Sequence, residues 1–155
     1  MIYAAFDPGF SGGLAIKANN KHYTYTLPVL TSKKNKVLDC RILSECLVDH
    51  CVEKVFIEKV HSAPGQGVVS MFSFGKGLGQ LIGMIQTLGL PYEDISPQVW
   101  KRHFKLIGAD KKASIAKCVQ TFPSINLIQK GCRVPHEGIA EALLILTYGI
   151  RSTTS

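Results

Sequence analysis

Four carboxylates stand at positions where they could do chemistry together. Near the carboxyl end, the segment PHEGIAEALLIL (residues 135–146) carries Glu137 and Glu141, while Ile139, Leu143, Leu146 and Ile150 recur at helical spacing. The pattern predicts a helix with one buried stripe. A four-residue separation sets the two acids one turn apart on one flank, where like charges repel. A helix N-terminus favours negative charge and could carry both acids in solvent; the alternative is that a cation holds them. Asp7 closes the apolar run MIYAAFD just before Pro-Gly, and Glu58 follows KVFI in the same way. Sites in open α/β sheets form beyond the carboxyl ends of the strands, so these two acids could meet. Asp is a common turn former, which explains Asp7 equally well. Glu is a poor one, and Glu58 is harder to dismiss.

Convergence of all four would need a counter-charge. Two carboxylates ~4 Å apart at an effective dielectric of ~20 repel by about 4 kcal/mol. Protons or divalent cations must compensate, and an all-oxygen donor set suits Mg²⁺ or Mn²⁺ rather than zinc. Two such ions can activate an attacking water and stabilise the leaving oxygen in phosphodiester cleavage.

The acids need elements to hold them. MIYAAFD reads as a buried strand, PGFSGG as a turn, and LAIK and HYTYTLP as two further strands of an antiparallel meander. VLDCRILSECLVDHC, with Leu38, Ile42, Leu43 and Leu47 at helical spacing, predicts a helix leading to the strand EKVFIEKV. Strand, helix, strand implies a crossover to a parallel neighbour. A helix is predicted over about 66–88, a short strand at PYEDIS, a helix opening at the proline of SPQVWKRHF, another over about 111–122, and then the acidic helix. The order predicts a single α/β domain over 1–155, with a mixed five-stranded sheet flanked by helices.

Lys and Arg number 18 against 11 Asp and Glu, a formal charge of +7 that favours a polyanionic partner. Five cysteines, an odd count without a CxxC pair, suggest neither a disulfide framework nor a zinc site and read as reduced thiols. Cys46 and His50 could be i, i+4 ligands, but two ligands do not make a site. The start lacks a signal-peptide pattern, and no apolar run reads as a bilayer span. The expectation is a soluble cytoplasmic protein with no membrane partner.

The basic residues are concentrated. VWKRHFKLIGADKKASIAK holds Lys101, Arg102, Lys105, Lys111, Lys112 and Lys117 against one acid, Asp110. Such a run is commonly a solvated face, but interleaved Trp100, His103 and Phe104 favour a nucleic-acid surface. Trp100 itself reads as core. After Glu58, HSAPGQGVVSMFSFGKG, which carries Lys76, reads as a loop entering a helix; its small residues let a backbone approach a partner, and the free N–H groups of the helix N-terminus suit a phosphate. Gly75, Gly79 and Gly83 then fall at successive fourth positions. Each glycine costs a helix ~1 kcal/mol relative to alanine, so close approach of another backbone, from the sheet or a second subunit, would offset the loss.

FDPGFSGGLA, VFIEKV, SPQVWK and HEGIAEALLI, in that order along nearly the whole chain, resemble the RuvC family of Holliday junction resolvases, particularly its phage and prophage branch. The resemblance implies an RNase H-like fold, a homodimer, and Mg²⁺-dependent paired nicking of four-way DNA junctions, with Mn²⁺ as substitute and two ions per site, in a bacterial or phage-infected cytoplasm. It implies that Asp7, Glu58 and Glu141 are metal ligands, joined by Glu137 or, alternatively, His136. Many members carry the last-helix pair three apart, whereas position 138 here is glycine. Lys101 and one of Lys111 or Lys112 resemble the family's lysines on the scissile phosphate. Gln66, Phe72 and Phe74 fall in the region that reaches the junction centre, and Lys76, Arg102 and Lys105 join them as DNA-binding candidates; for the two phenylalanines, core packing is the competing reading.

Three other functions fit parts of the pattern. An actin-like sugar kinase or ATPase lobe shares the Asp-x-Gly hairpin but needs two lobes and more chain, so no nucleotide cofactor is expected. A related RNase H-like nuclease acting on other branched, hybrid or single-stranded substrates differs only in what it cuts. A junction-binding protein with impaired catalysis would follow if Glu at 137 disabled the metal site.

Overall fold

The computed structural model describes residues 1–33, 35–60, 65 and 67–154, the side chain of Lys111 excepted. Three strands, β1 (Tyr3–Asp7), β2 (Gly13–Ala18) and β3 (Lys21–Thr26), form the expected antiparallel meander. β1 also pairs in parallel with a later strand running Lys54–Glu58, which pairs in parallel with another at Tyr92–Ile95. The sheet is therefore mixed and five-stranded, with the first strand in its centre.

Ala4, Ala5 and Phe6 are all fully buried because both faces of this strand are covered. Alternate side chains serve opposite cores. Ala5, Ala15 and Phe56 join one hydrophobic cluster; Ala4, Phe6, Leu14, Ile16, Val55 and Ile57 join the other.

One hairpin departs from the sequence reading. Leu38, expected within the first helix, instead ends β5 (Asn35–Leu38), which pairs with β4 (Val29–Ser32) in a separate two-stranded sheet. Asp39 is the reason: its carboxylate accepts from the Ile42 N–H at 3.3 Å, so the helix α1 (Cys40–Asp49) cannot include Leu38. In chain order the two later strands of the main sheet are β6 (Lys54–Glu58) and β7 (Tyr92–Ile95).

The remaining helices are α2 (Val68–Thr87), α3 (Pro97–His103), α4 (Lys111–Thr121) and α5 (Glu137–Thr153). α2 lies on the second cluster through Leu81, Met84 and Ile85. By length and composition it is also apolar enough to cross a membrane, a property that its glycines and Lys76 hide from a reading by apolar runs. α3, α4 and α5 build the first cluster around Trp100, Phe104, Cys118 and the buried face of α5.

Backbone approach, not side chains, sets the seat of α5. Gly12 and Gly138 form an isolated parallel bridge. A methyl group on Gly13 would lie 2.5 Å from the Gly138 carbonyl oxygen, and one on Gly138 would lie 2.5 Å from that of Ser11. Only glycine fits such contacts, and they fix the start of α5 against the start of β2.

Candidate active site

β1 and β6 run in the same direction with Phe6 opposite Ile57, so Asp7 and Glu58 leave the sheet side by side at the carboxyl ends of neighbouring strands. The glycine contact brings the first two turns of α5, with Glu137 and Glu141, over the same edge. The four acids thus gather from three distant parts of the sequence.

Their charges register on one another. Asp7 is pushed up to about 8, first by burial, then by Glu58, Glu141 and Glu137, with Lys101 opposing. Burial also raises Glu58, opposed first by a hydrogen bond from Trp100; Glu141 raises it further and Lys101 lowers it. Two adjoining clefts open here, of about 380 and 260 Å³. The larger is lined by Asp7, Ser11 and His136 and the smaller by Lys101, Asp110 and Ser114, while Glu137 and Glu141 line both. Glu58 lines neither.

Each outer acid has a donor. The Trp100 indole N–H donates to Glu58 Oε1 at 2.9 Å, and the Ser114 hydroxyl donates to Glu141 Oε1 at 3.0 Å. Lys101 Nζ lies 4.0 Å from the same Glu141 oxygen and 5.1 Å from the centre of the Trp100 ring. Among the described residues, no three His, Cys, Asp or Glu side chains already surround a single point. Repulsion between unscreened carboxylates opposes such a gathering. The donor set nonetheless fits a hard divalent cation: carboxylate oxygens in mutual repulsion, with Asp7 inclined to hold a proton where no cation compensates.

His136 is the N-cap of α5. Its Nδ1 accepts from the Ile139 N–H at 3.2 Å, and burial lowers its pKa. A neutral ring whose Nδ1 accepts carries its proton on Nε2, so neither nitrogen offers a lone pair to a metal while the cap stands. Glu137 therefore has the stronger claim as fourth ligand. The glycine at 138 is explained as well, since an acid there would run into the Ser11–Gly12 backbone.

The DNA-binding candidates divide. Phe72 is 76% exposed, against the core-packing reading, whereas Phe74 is half-buried beside Gly9. Lys76, Arg102, Lys105 and Lys112 are exposed. Gln66 and the Lys111 side chain lie outside the described residues. Phe104 and Trp100 are buried, which leaves His103 as the exposed ring of that basic segment. Cys46 and His50 come together around Tyr25, whose hydroxyl lies 2.7 Å from His50 Nε2, but among the described residues no group of three His, Cys, Asp or Glu there could hold a metal ion. Gly75, Gly79 and Gly83 have nothing within 4 Å of an added methyl group, so the sheet is not their close neighbour.

The sequence reading missed both Trp100 as a donor and Ser114 altogether. A tryptophan beside the motif lysine was a usable signal; a serine inside ASIAK was not.

Neither family models nor curated proteins match the sequence. Solved structures do. Thermus thermophilus RuvC in complex with a Holliday junction substrate superposes with a TM-score of 0.66 over 100% of this chain and 96% of its own, at 20% identity. A second structure of Thermus thermophilus RuvC gives 0.64 over 99% and 98%, also at 20% identity. The chain has the RuvC fold. That fold is RNase H-like, in agreement with the fold the motifs implied. In this RuvC fold, the four carboxylates sit at the carboxyl edge of the central parallel strands, beneath the amino end of the last helix.

Proposed function

We propose that this protein is a divalent-metal-dependent endonuclease that resolves four-way DNA junctions by nicking paired strands, in the cytoplasm of a bacterium or a phage-infected host. The observation that carries the reading is the gathering of Asp7, Glu58, Glu137 and Glu141 beside Lys101 in a RuvC fold. A RuvC of that fold has been captured on a Holliday junction, which supports junction DNA as the partner here.

The acids would hold two Mg²⁺ or Mn²⁺ ions, which supply a water acidic enough to attack and charge for the leaving oxygen. Lys101 lies next to the acids and meets the charge that develops on the phosphate, with Lys111 or Lys112 as its companion. Gln66, Phe72, Phe74, Lys76, Arg102 and Lys105 hold the DNA by phosphate contact and stacking. A homodimer formed along the exposed Gly75, Gly79 and Gly83 stripe of α2 presents two such sites to a symmetric junction.

The test is incubation of the protein with a synthetic four-way junction and a matched linear duplex, with Mg²⁺ and with chelator. Symmetric nicks confined to the junction and abolished by chelator are expected. Equal cutting of both DNAs would point to a general RNase H-like nuclease, and binding without nicks to a non-catalytic junction binder.

A further inference from the structure

Two buried polar groups beside the acids are not used by the proposed chemistry. Trp100 is fully buried and Ser114 is 4% exposed. Each donates one hydrogen bond to Oε1 of a site glutamate, Trp100 to Glu58 and Ser114 to Glu141. We propose that Trp100 and Ser114 are positioning residues that hold Glu58 and Glu141 by one oxygen each, leaving the other oxygen of each for a divalent cation. The proposal rests on the metal-dependent reading above.

Its basis is geometric. A glutamate has three side-chain torsions, and a free one must be ordered at the moment it binds a metal. A donor fixed in a packed core does that ordering in advance, and outer hydrogen bonds of this kind tune metal affinity. Trp100 suits the role because its indole nitrogen can only donate, so it holds an accepting oxygen of Glu58 in place. Its ring is locked in the cluster shared by α3, α4 and α5. Ser114 stands in the second turn of α4, whose start is capped by the Asp110 carboxylate accepting from Ala113 N–H at 3.0 Å. Two helices with no acid of their own in the cluster thus aim acids that belong to β6 and α5. α3 does double duty, since the next residue, Lys101, reaches Glu141.

The competing explanation is that Glu58 merely satisfies a buried indole N–H. Metal binding separates the two. The full chain without DNA would be titrated with Mn²⁺ and the free ion followed by electron paramagnetic resonance, for the wild type, Trp100→Phe, Ser114→Ala and Ser114→Thr, with thermal melts alongside. About tenfold weaker Mn²⁺ binding is expected for Trp100→Phe and Ser114→Ala, with Ser114→Thr close to wild type because its hydroxyl remains. Melting temperatures that fall while Mn²⁺ affinity stays unchanged would overturn the proposal and leave the nuclease reading standing. Weaker Mn²⁺ binding by the variants of a wild type that does not cut junctions would support the proposal and overturn that reading. A wild type that takes up no Mn²⁺ overturns both. Should Trp100→Phe not fold, the Ser114 pair, which differs from wild type by single small groups, decides.

Discussion

Lys101 and Glu141 face one another across the smaller cleft, with Nζ 4.0 Å from Oε1, at a junction between the basic segment and the acidic cluster. The ammonium opposes the rise in both Asp7 and Glu58, so it helps keep the acids ionised while remaining within reach of an anion entering the cleft. Lys101→Ala should lower junction cleavage by roughly 10²-fold, the scale of losing one donor to developing charge. Lys21→Ala, at the far end of β3, should change it little. Single-turnover cleavage with saturating protein compares the two, and equal losses would reduce the basic segment to general DNA affinity.

Glu58→Gln keeps a carbonyl acceptor for the Trp100 indole and removes the charge. The variant should fold and bind a four-way junction as tightly as wild type yet fail to nick it. Gel-shift and cleavage assays on the same preparation test this; cleavage at the normal rate would remove Glu58 from the site.

Asp7 gives the metal-free protein a pH dependence. Its folded pKa of about 8 lies above the ordinary 3.8, so the folded state binds more protons than the unfolded chain between those values. Stability from this group is full below about 4 and falls as pH rises, until it is lost above about 8. A divalent cation bound to the carboxylate opposes that loss. Added Mg²⁺ should therefore raise the melting temperature more at pH 8.5 than at pH 6, read by calorimetry or fluorescence. A larger rise at pH 6 would contradict the assignment.

Gly138→Ala tests the seat of α5. The new methyl group would meet backbone atoms of Ser11 and Gly12 at 2.5 to 2.7 Å, and backbone cannot step aside as a flexible side chain can. A loss of about 1–3 kcal/mol is expected, seen as a lower denaturation midpoint, with cleavage also reduced because Glu137 and Glu141 ride on the two turns that this contact seats. An unchanged midpoint would show that the helix start tolerates displacement.

The order of strands and helices followed from periodicity, because alternation and helical spacing are local properties of the chain. Asp7 and Glu58 could be placed at strand ends, and Glu137 and Glu141 on one helix, by the same reasoning. Local pattern failed at residues 29–38, where Leu38 matched a helical stripe by spacing alone and the Asp39 cap put the boundary after it. The meeting of the acids was an inference in the sequence; the parallel register of β1 with β6 and the Gly12–Gly138 contact realise it, and both are long-range pairings that no local spacing encodes. The hidden contributors are of the same kind. Trp100 looks like core and is core, yet its one polar atom reaches Glu58, 42 residues away, and Ser114 reaches Glu141 across 27. A residue's type states which hydrogen bonds it can make; which one it makes depends on what folding sets in front of it.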